Sequence, residues 1–232
     1  MGEVQRPDIE GPRRLPRGRH ALDPEAVLAD QRERLLAAVP AVVAARGYEA
    51  MSVADLVKAA AVSRNAFYKN FADKQACFAA AHQRGHERLF GILTGACEGA
   101  GTPEEKLERS LAAVLDTLAA EPELARLLFV EAPGSAGEEI ALSYHEWLRR
   151  YGSLLHAESA APASGEFDQV IVGGIATRIA SEVLRGGGEE LRDLTPHLVE
   201  YLRAFVGPEA PLLRAAKVVP LERETRRRRA GA

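Results

Sequence analysis

The sequence predicts an all-α protein with about nine helices, and three observations support that fold class. Apolar residues recur at helical spacing in long stretches, and no stretch alternates as a half-buried strand would. Cap residues and glycine or proline breaks divide those stretches into helix-sized pieces. The 232 residues, 47% of them hydrophobic, suffice for a packed core in one or two domains.

Cap and breaker residues place the first helix. Asp23 can cap a helix whose first position is Pro24. Apolar residues follow at helical spacing, and Pro40 among them predicts either a kink or a new first turn. Gly47 is a typical stop signal. The helix is therefore expected to end near Gly47.

Two short helices and a long one follow. Ser52, with Asp55 three residues later, predicts a capped helix over the sequence SVADLVKAAA. Ser63 can cap a third helix that ends near position 70. From Asp73, the fourth helix continues towards position 95.

The second half of the chain predicts further helices. Thr102, Pro103 and Glu105 form a strong helix start, and Glu121-Pro122 breaks that helix in two. The remaining segments are an amphipathic helix within 135–159, a polar loop at 158–166, an apolar helix at 167–188 and a last helix at 193–207.

Composition narrows the class of protein. The net charge is −3, so any surface for a polyanion must be local. Two cysteines without zinc-site spacing indicate a reducing compartment. No stretch approaches 18 apolar residues, and the N-terminus lacks the apolar run of a secretory signal. We therefore expect a cytoplasmic protein with no membrane partner.

Signatures of catalysis do not occur in the sequence. The segment PGSAG at 133–137 lacks the spacing of a nucleophile elbow, and there is no phosphate loop or paired metal motif. His82 and His86 lie one helical turn apart, which can suit a metal, but no Cys or carboxylate has an obvious partner position. We expect a solvated histidine pair, no metal, no cofactor and no enzymatic activity.

The segment VSRNAFYKNFADKQACF at 62–78 is unusual in an acidic chain because it concentrates cationic, amide and aromatic side chains. It is either a solvated face over a small aromatic core or a surface shaped for a polyanion. Apolar residues line one side of each short helix, and helices this close cross steeply, as in a helix-turn-helix. With Phe67 and Phe71 inward, an outward stripe remains, made of Arg64, Asn65, Tyr68 and Lys69.

The sequence SVADLVKAAAVSRNAFYKNFADKQACFAAA resembles the DNA-binding region of the TetR (tetracycline-repressor) family of transcriptional regulators. The resemblance covers residues 27–80 and rests on motifs at fixed spacing, namely Gly47-Tyr48, Ser52-Val53, Val62-Ser63, Phe67-Tyr68, Asn70-Phe71 and Lys74. The family usually has Gly where this chain has Ala61. A left-handed Ala61 would cost on the order of 1 kcal/mol.

The resemblance implies a role for each matched position on a double-stranded DNA operator. It implies phosphate contacts from Ser52, Tyr68 and Lys74, and groove contacts from Ser63, Arg64, Asn65 and Lys69. Asn65 suits adenine, and Arg64 suits guanine or a phosphate.

The resemblance also implies a domain organisation and a ligand-responsive repressor. We expect a basic arm at 1–22, a DNA-binding domain at 23–72, a ligand-binding and dimerisation domain at 73–207 and a tail at 208–232. The arm and the Arg-rich tail are either solvated or in auxiliary contact with DNA. An activator, or a DNA-binding regulator without a ligand, is the alternative.

The larger domain should provide a homodimer interface and a pocket for a small-molecule effector. The helices around 168–185 and 194–206 are apolar on more than one face, which suits a four-helix interface or, alternatively, the core of the domain itself. The pocket candidates, each of which could also be plain core, are Phe90, Leu115, Phe129, Glu131, Tyr144, Trp147, Tyr151 and Arg178. Among these, Glu131 is expected at the pocket rim, and Arg178 is expected to pair with a carboxylate there or in the ligand.

Overall fold

The computed structural model describes residues 23–99, 101–135, 137–156 and 165–206. All regular elements in these ranges are helical, which confirms the all-α prediction. They are α1 (Pro24–Ala50), α2 (Val53–Ala59), α3 (Arg64–Asn70), α4 (Lys74–Ala96), α5 (Pro103–Ala120), α6 (Pro122–Arg126), a π-helical segment (Leu127–Glu131), α7 (Ala132–Ser135), α8 (Glu138–Gly152), a 3₁₀ turn (Ser153–His156), α9 (Gly165–Arg185) and α10 (Leu194–Val206). The expectations for the arm and the tail lie outside the described residues, as does most of the predicted loop at 158–166.

The first three helices pack together around buried apolar side chains. α2 and α3 both pack against α1. Leu35, Val39, Leu56 and Phe67 are fully buried between them. Burying such side chains stabilises the unit by about 1.5–3 kcal/mol each, so the apolar stripes fix how the two short helices cross.

The end of α1 confirms the glycine stop. Gly47 has φ 74° and ψ 161°, the one non-helical residue inside the continuous stretch, while the backbone stays helical at Pro40. Pro40 therefore does not start a new helix. The chain turns at Gly47 because glycine adopts positive φ at no steric cost.

α4 connects this unit to a larger helical domain. α5 packs on α4, α10 packs on α5, and α8 packs on α9. Trp147, Leu115, Leu118 and Ile140 are buried in the centre. Among the described helices, none is both long and apolar enough to cross a membrane.

The helix starts predicted at Thr102 and at Pro122 are confirmed. Thr102 and Glu105 form a reciprocal capping box, and α5 ends at Ala120, just before Glu121-Pro122. The sequence did not predict the π-helical turn that follows α6. Such turns are uncommon and often mark functional positions.

Candidate DNA interface and effector cavity

The turn between α2 and α3 is held by local hydrogen bonds. Asp55 N donates to Ser52 Oγ at 3.3 Å and Ser52 N donates to Asp55 Oδ2 at 3.1 Å, which confirms the predicted capping variant. Ser63 caps α3, since its Oγ accepts from Ala66 N at 3.0 Å. Ala61 in the turn has φ 51°. It is the one non-glycine residue of the described chain with positive φ, so the strain expected of an alanine there is present.

Basic residues of α1 support the turn from behind, a contact the sequence gave no sign of. Arg34 Nη1 donates to Ala61 O at 3.2 Å. Arg32 lies 4.5 Å from the Phe71 ring centre and donates to Asn70 O at 3.4 Å. These contacts satisfy carbonyls at the turn and at the end of α3 that the helices leave unpaired.

α3 presents the predicted stripe to solvent. Arg64, Asn65, Tyr68 and Lys69 are all exposed, with Tyr68 51% accessible, while Phe67 beneath them is fully buried. Tyr68 packs edge-on to Phe67 at 5.3 Å, and Arg64 lies 6.0 Å from the Tyr68 ring centre. The face therefore concentrates two cations and an amide on a short helix.

Ser52 and Ser63, also expected at the interface, are exposed at the starts of α2 and α3. The Ser52 hydroxyl donates to Asp55 Oδ2 at 2.6 Å, which occupies its proton. Ser63 Oγ accepts from Ala66 N as a cap, which leaves its own proton available to a phosphate. Of the two serines, only Ser63 thus has a hydroxyl proton that is free to be donated to a ligand.

Lys74 sits at the junction of α1, α2 and α4. Its ammonium donates to Tyr48 O, Glu49 O and Met51 O at 3.0–3.1 Å and lies 4.8 Å from the Tyr48 ring centre. The three donors of the ammonium are all engaged by the end of α1. Its phosphate contact remains a prediction. The sequence did not indicate its hydrogen bonds to the end of α1.

Glu131 joins the same junction from the larger domain. Its buried carboxylate accepts from Tyr48 N at 2.9 Å, directly after the break at Gly47. Arg126 pairs with the other oxygen at 3.0–3.1 Å. Glu131 therefore ties the π-helical segment to the end of α1 and does not line the cavity described next.

An apolar cavity of about 90 Å³ lies inside the larger domain, between α4, α5, α8, α9 and α10. Of the predicted pocket residues, Leu115, Phe129 and Tyr151 line it. Phe90, Tyr144 and Trp147 are buried outside its lining. Arg178 is half-exposed and pairs with Glu182, as expected of a carboxylate partner on α9. The lining residues that the sequence did not predict lie on α4, α5, α9, α10 and the 3₁₀ turn, among them Leu89, Leu111, Leu155, Val172, Ile175, Ile179, Leu198 and Leu202.

Comparison with known proteins identifies the N-terminal helices. Residues 35–81 match the family model described as bacterial regulatory proteins, tetR family. The chain is a TetR-family transcriptional regulator. No curated protein matches the sequence.

Solved structures share the fold of this TetR-family chain along most of its length. FadR from Bacillus halodurans, a fatty acid degradation regulator, is 23% identical with a TM-score of 0.64, over 76% of this chain and 98% of that one. FadR from Bacillus subtilis in complex with stearoyl-CoA is 19% identical with a TM-score of 0.63, over 73% and 96%. A TetR-like regulator from Rhodococcus sp. RHA1 is 23% identical with a TM-score of 0.57, over 84% and 100%.

The histidine pair of this TetR-family chain is not solvated, so that expectation was wrong. His82 and His86 are both 0% exposed. Their rings meet edge to face at 4.6 Å, and Trp147 stacks on His86 at 5.2 Å. Burial lowers the pKa of His82 to about 4, and burial and the neighbouring His82 lower the pKa of His86 well below its usual value. The cause is tertiary, because α8 covers this face of α4.

Three ring nitrogens of this pair are unpaired within the described residues. They are both nitrogens of His82 and Nε2 of His86. An unmade hydrogen bond at a buried polar atom costs about 1–3 kcal/mol. No group of three or more metal-ligating side chains occurs in the part of the chain the structure describes.

The outer face of α9 carries apolar side chains. Val170 is 68% and Leu184 63% exposed, with the exposed small residues Gly174 and Thr177 between them. Positions 170, 174, 177 and 184 repeat at helical spacing, so they form one stripe. The opposite side of α9 is buried in its own subunit through Ile171, Ala176 and Ile179.

Proposed function

We propose that this TetR-family protein is a homodimeric, effector-responsive repressor that places α3 of each subunit in the major groove of a near-palindromic operator. The observation that carries the proposal is the exposed stripe on α3. An α-helix has the diameter of the major groove, and the stripe carries side chains that suit base edges and phosphates.

The contacts divide by chemistry into those that hold the DNA and those that read it. Tyr68, Ser52 and Lys74 are proposed to contact phosphate, and Ser52 and Lys74 would each exchange a present hydrogen bond for that contact. Arg64, Asn65 and Ser63 are at the N-terminal end of α3, from which helix-turn-helix proteins contact base edges. Asn65 suits adenine, Arg64 suits guanine or phosphate, and Lys69 lies one turn along the same stripe.

Rigidity of α3 supports a reading role. The buried Phe67 and the Arg34 contact to Ala61 O fix the angle of the helix from beneath. A backbone held in this way lowers the ordering cost of binding, because only the side chains of α3 have to be ordered on the bases. A solvated face would need no such support.

Dimerisation is proposed through the helices at 168–185 and 194–206. The exposed stripe of Val170, Gly174, Thr177 and Leu184 supports this, since small residues between apolar ones allow close helix approach. A monomer contacts one half-site, whereas a symmetric dimer doubles the contacts and fixes the half-site spacing.

The effector is proposed to bind in the cavity between α4, α5, α8, α9 and α10. Stearoyl-CoA in the Bacillus subtilis FadR structure shows that a protein of the same fold is crystallised with a ligand that has a long apolar chain. Phe129 lines the cavity, and Glu131 is two residues further along the same π-helical segment. A displacement of that segment would reach Tyr48 N through the Glu131 carboxylate and so change the separation of the two reading heads.

The remaining features of the proposal are its boundaries and its location. We assign the DNA-binding domain to 23–72 and the ligand-binding and dimerisation domain to 73–207, in a cytoplasmic protein. Operator selection from random DNA, followed by gel shift on the DNA flanking the protein's own gene, tests the proposal. A palindromic consensus with two protected half-sites supports it, and failure to select any sequence contradicts it.

Transcription in vitro from a promoter that carries the selected operator separates the repressor from the alternatives. Repression predicts less transcript when the protein is added. More transcript would indicate an activator. An affinity for DNA that no cavity ligand changes would indicate a regulator that does not respond to a ligand.

A further inference from the structure

The walls of the cavity carry almost no polar chemistry. Its described lining contains no Lys, Arg, Asp or Glu, and its polar side chains are His86, Ser110 and Tyr151. Ser110 is already satisfied, since its hydroxyl donates to Lys106 O at 2.7 Å and contacts Cys97 Sγ at 2.8 Å. Any directional contact with a ligand therefore falls to His86 and Tyr151.

Tyr151 sets the tautomer of His86. Tyr151 Oη lies 3.2 Å from His86 Nδ1 and 3.2 Å from His86 O. Only one arrangement makes both contacts hydrogen bonds, because the hydroxyl has a single proton. The hydroxyl donates to His86 O, Nδ1–H donates to Oη, and the lone pair is left on Nε2.

The side chain of His86, a residue of the cavity lining, thus keeps a buried acceptor at Nε2. This nitrogen has no partner among the described residues, and the side chain is fully buried. Burial and the adjacent His82 lower the pKa of His86 well below its usual value, so the ring is neutral near pH 7. A group that donates a hydrogen bond to Nε2 would remove the cost of an unpaired acceptor.

On the basis of the proposed effector response, we propose that the cavity binds an uncharged, mainly hydrocarbon molecule with one hydroxyl-type donor, which His86 Nε2 accepts. A carboxylate or phosphate placed there would be desolvated without a cation, which is strongly unfavourable. An ether oxygen would be unfavourable too, because two acceptors would face each other.

The contribution of the hydrogen-bond donor can be measured by comparing two isomeric ligands. 1-Hexanol and 1-methoxypentane have the same atoms and similar shape, but only the alcohol can donate. Calorimetric titration of the full chain at pH 7.5 should show 1-hexanol binding about tenfold more tightly than 1-methoxypentane. Hexanoate, charged at that pH, should bind at least about tenfold more weakly than 1-hexanol.

Variants test whether His86 is the source of the preference. His86→Leu should reduce the alcohol-to-ether ratio to within about twofold, because the acceptor is gone. Tyr151→Phe keeps the His86 imidazole but removes the hydroxyl that holds its proton on Nδ1. The proton can then sit on Nε2, so the alcohol-to-ether ratio should fall in this variant as well. Ser110→Ala is the matched control and should keep the wild-type ratio.

Several results would overturn this assignment. They are equal affinity of the two isomers for the wild-type protein, hexanoate binding as tightly as 1-hexanol, or a ratio that survives both variants. Binding of none of the three probes would overturn it as well. Gel shift of the ligand-free protein with the selected operator tests the regulator proposal separately, because that measurement needs no cavity ligand.

Discussion

The α3 stripe and the α4 histidine pair are built from the same local pattern and have opposite environments. Asn65 and Lys69 stand four residues apart on one helix, and His82 and His86 stand four apart on another. The first pair is exposed, while the second is completely buried. The spacing of two polar residues on a helix thus does not reveal whether they are exposed or buried. Their exposure depends on whether a neighbouring helix packs over them.

The difference matters energetically. The unpaired polar groups on α3 are solvated and cost little free energy. The exposed stripe is therefore stable without a bound partner. The unpaired nitrogens of His82 and His86 are buried and destabilise the fold by about 1–3 kcal/mol each. Mutations at exposed polar residues and mutations at buried polar residues should therefore have different effects on stability. Four experiments measure that difference.

The largest effect is expected where the N-terminal helices meet the larger domain. Glu131→Ala removes the acceptor of Tyr48 N and the partner of Arg126, and leaves a buried N–H unsatisfied. Urea denaturation should show a loss of about 3 kcal/mol in the free energy of unfolding. Glu131→Gln, which keeps an acceptor, should lose less, and the exposed Glu138→Ala should change nothing measurable. Equal stability of Glu131→Ala and wild type would remove Glu131 from the junction.

The buried pair should make stability depend on pH. The folded pKa of His82 is about 4, below the unfolded 6.5. Between these values the unfolded state binds the proton and the folded state does not, so stability is lost as the pH falls. From pH 7 to pH 5 the loss should be about 2 kcal/mol from His82, and His86 should add to it in the same direction. In His82→Leu the difference between the two pH values should shrink by that amount, and an unchanged difference would argue against a neutral buried ring.

The exposed face should affect DNA and not folding. Tyr68→Ala and Lys69→Ala should each weaken binding to all sequences by about tenfold, and Lys69→Ala should lower the salt slope by about one. Asn65→Ala should also relax base preference at one position of the selected operator. Thermal unfolding of all three should match the wild type, and Arg149→Ala on α8 controls for the loss of a cation elsewhere. Unchanged DNA affinity of the Tyr68 and Lys69 variants would exclude α3 from the interface.

The smallest effect concerns the turn itself. Ala61→Gly relieves the positive φ and should stabilise the protein by about 0.5 kcal/mol, because the gain exceeds the added chain entropy of glycine. Ala54→Gly within α2 is the opposite control and should destabilise by about 0.5–1 kcal/mol. Denaturation midpoints distinguish the two signs. A destabilised Ala61→Gly would mean that the turn tolerates alanine without strain.

Much of the fold could be predicted because its signals are local. Ser52 with Asp55, Thr102 with Glu105, and Gly47 each specify a helix end through backbone groups a few residues away. The stripe on α3 was predictable for the same reason, since inward Phe67 leaves its neighbours outward. The site was harder where partners are distant in sequence. The Glu131 contact to Tyr48 spans 83 residues, and no local pattern announces it.

The sequence alone determined most of the helices, their caps and the residues that α3 exposes, because each depends on periodicity or on groups within one turn. Only the tertiary structure decided that His82 and His86 are buried, that Lys74 binds the end of α1, and that α9 lines a cavity on one side while it exposes an apolar stripe on the other. Those outcomes depend on which helix covers which face, a choice made by contacts between residues far apart in the chain.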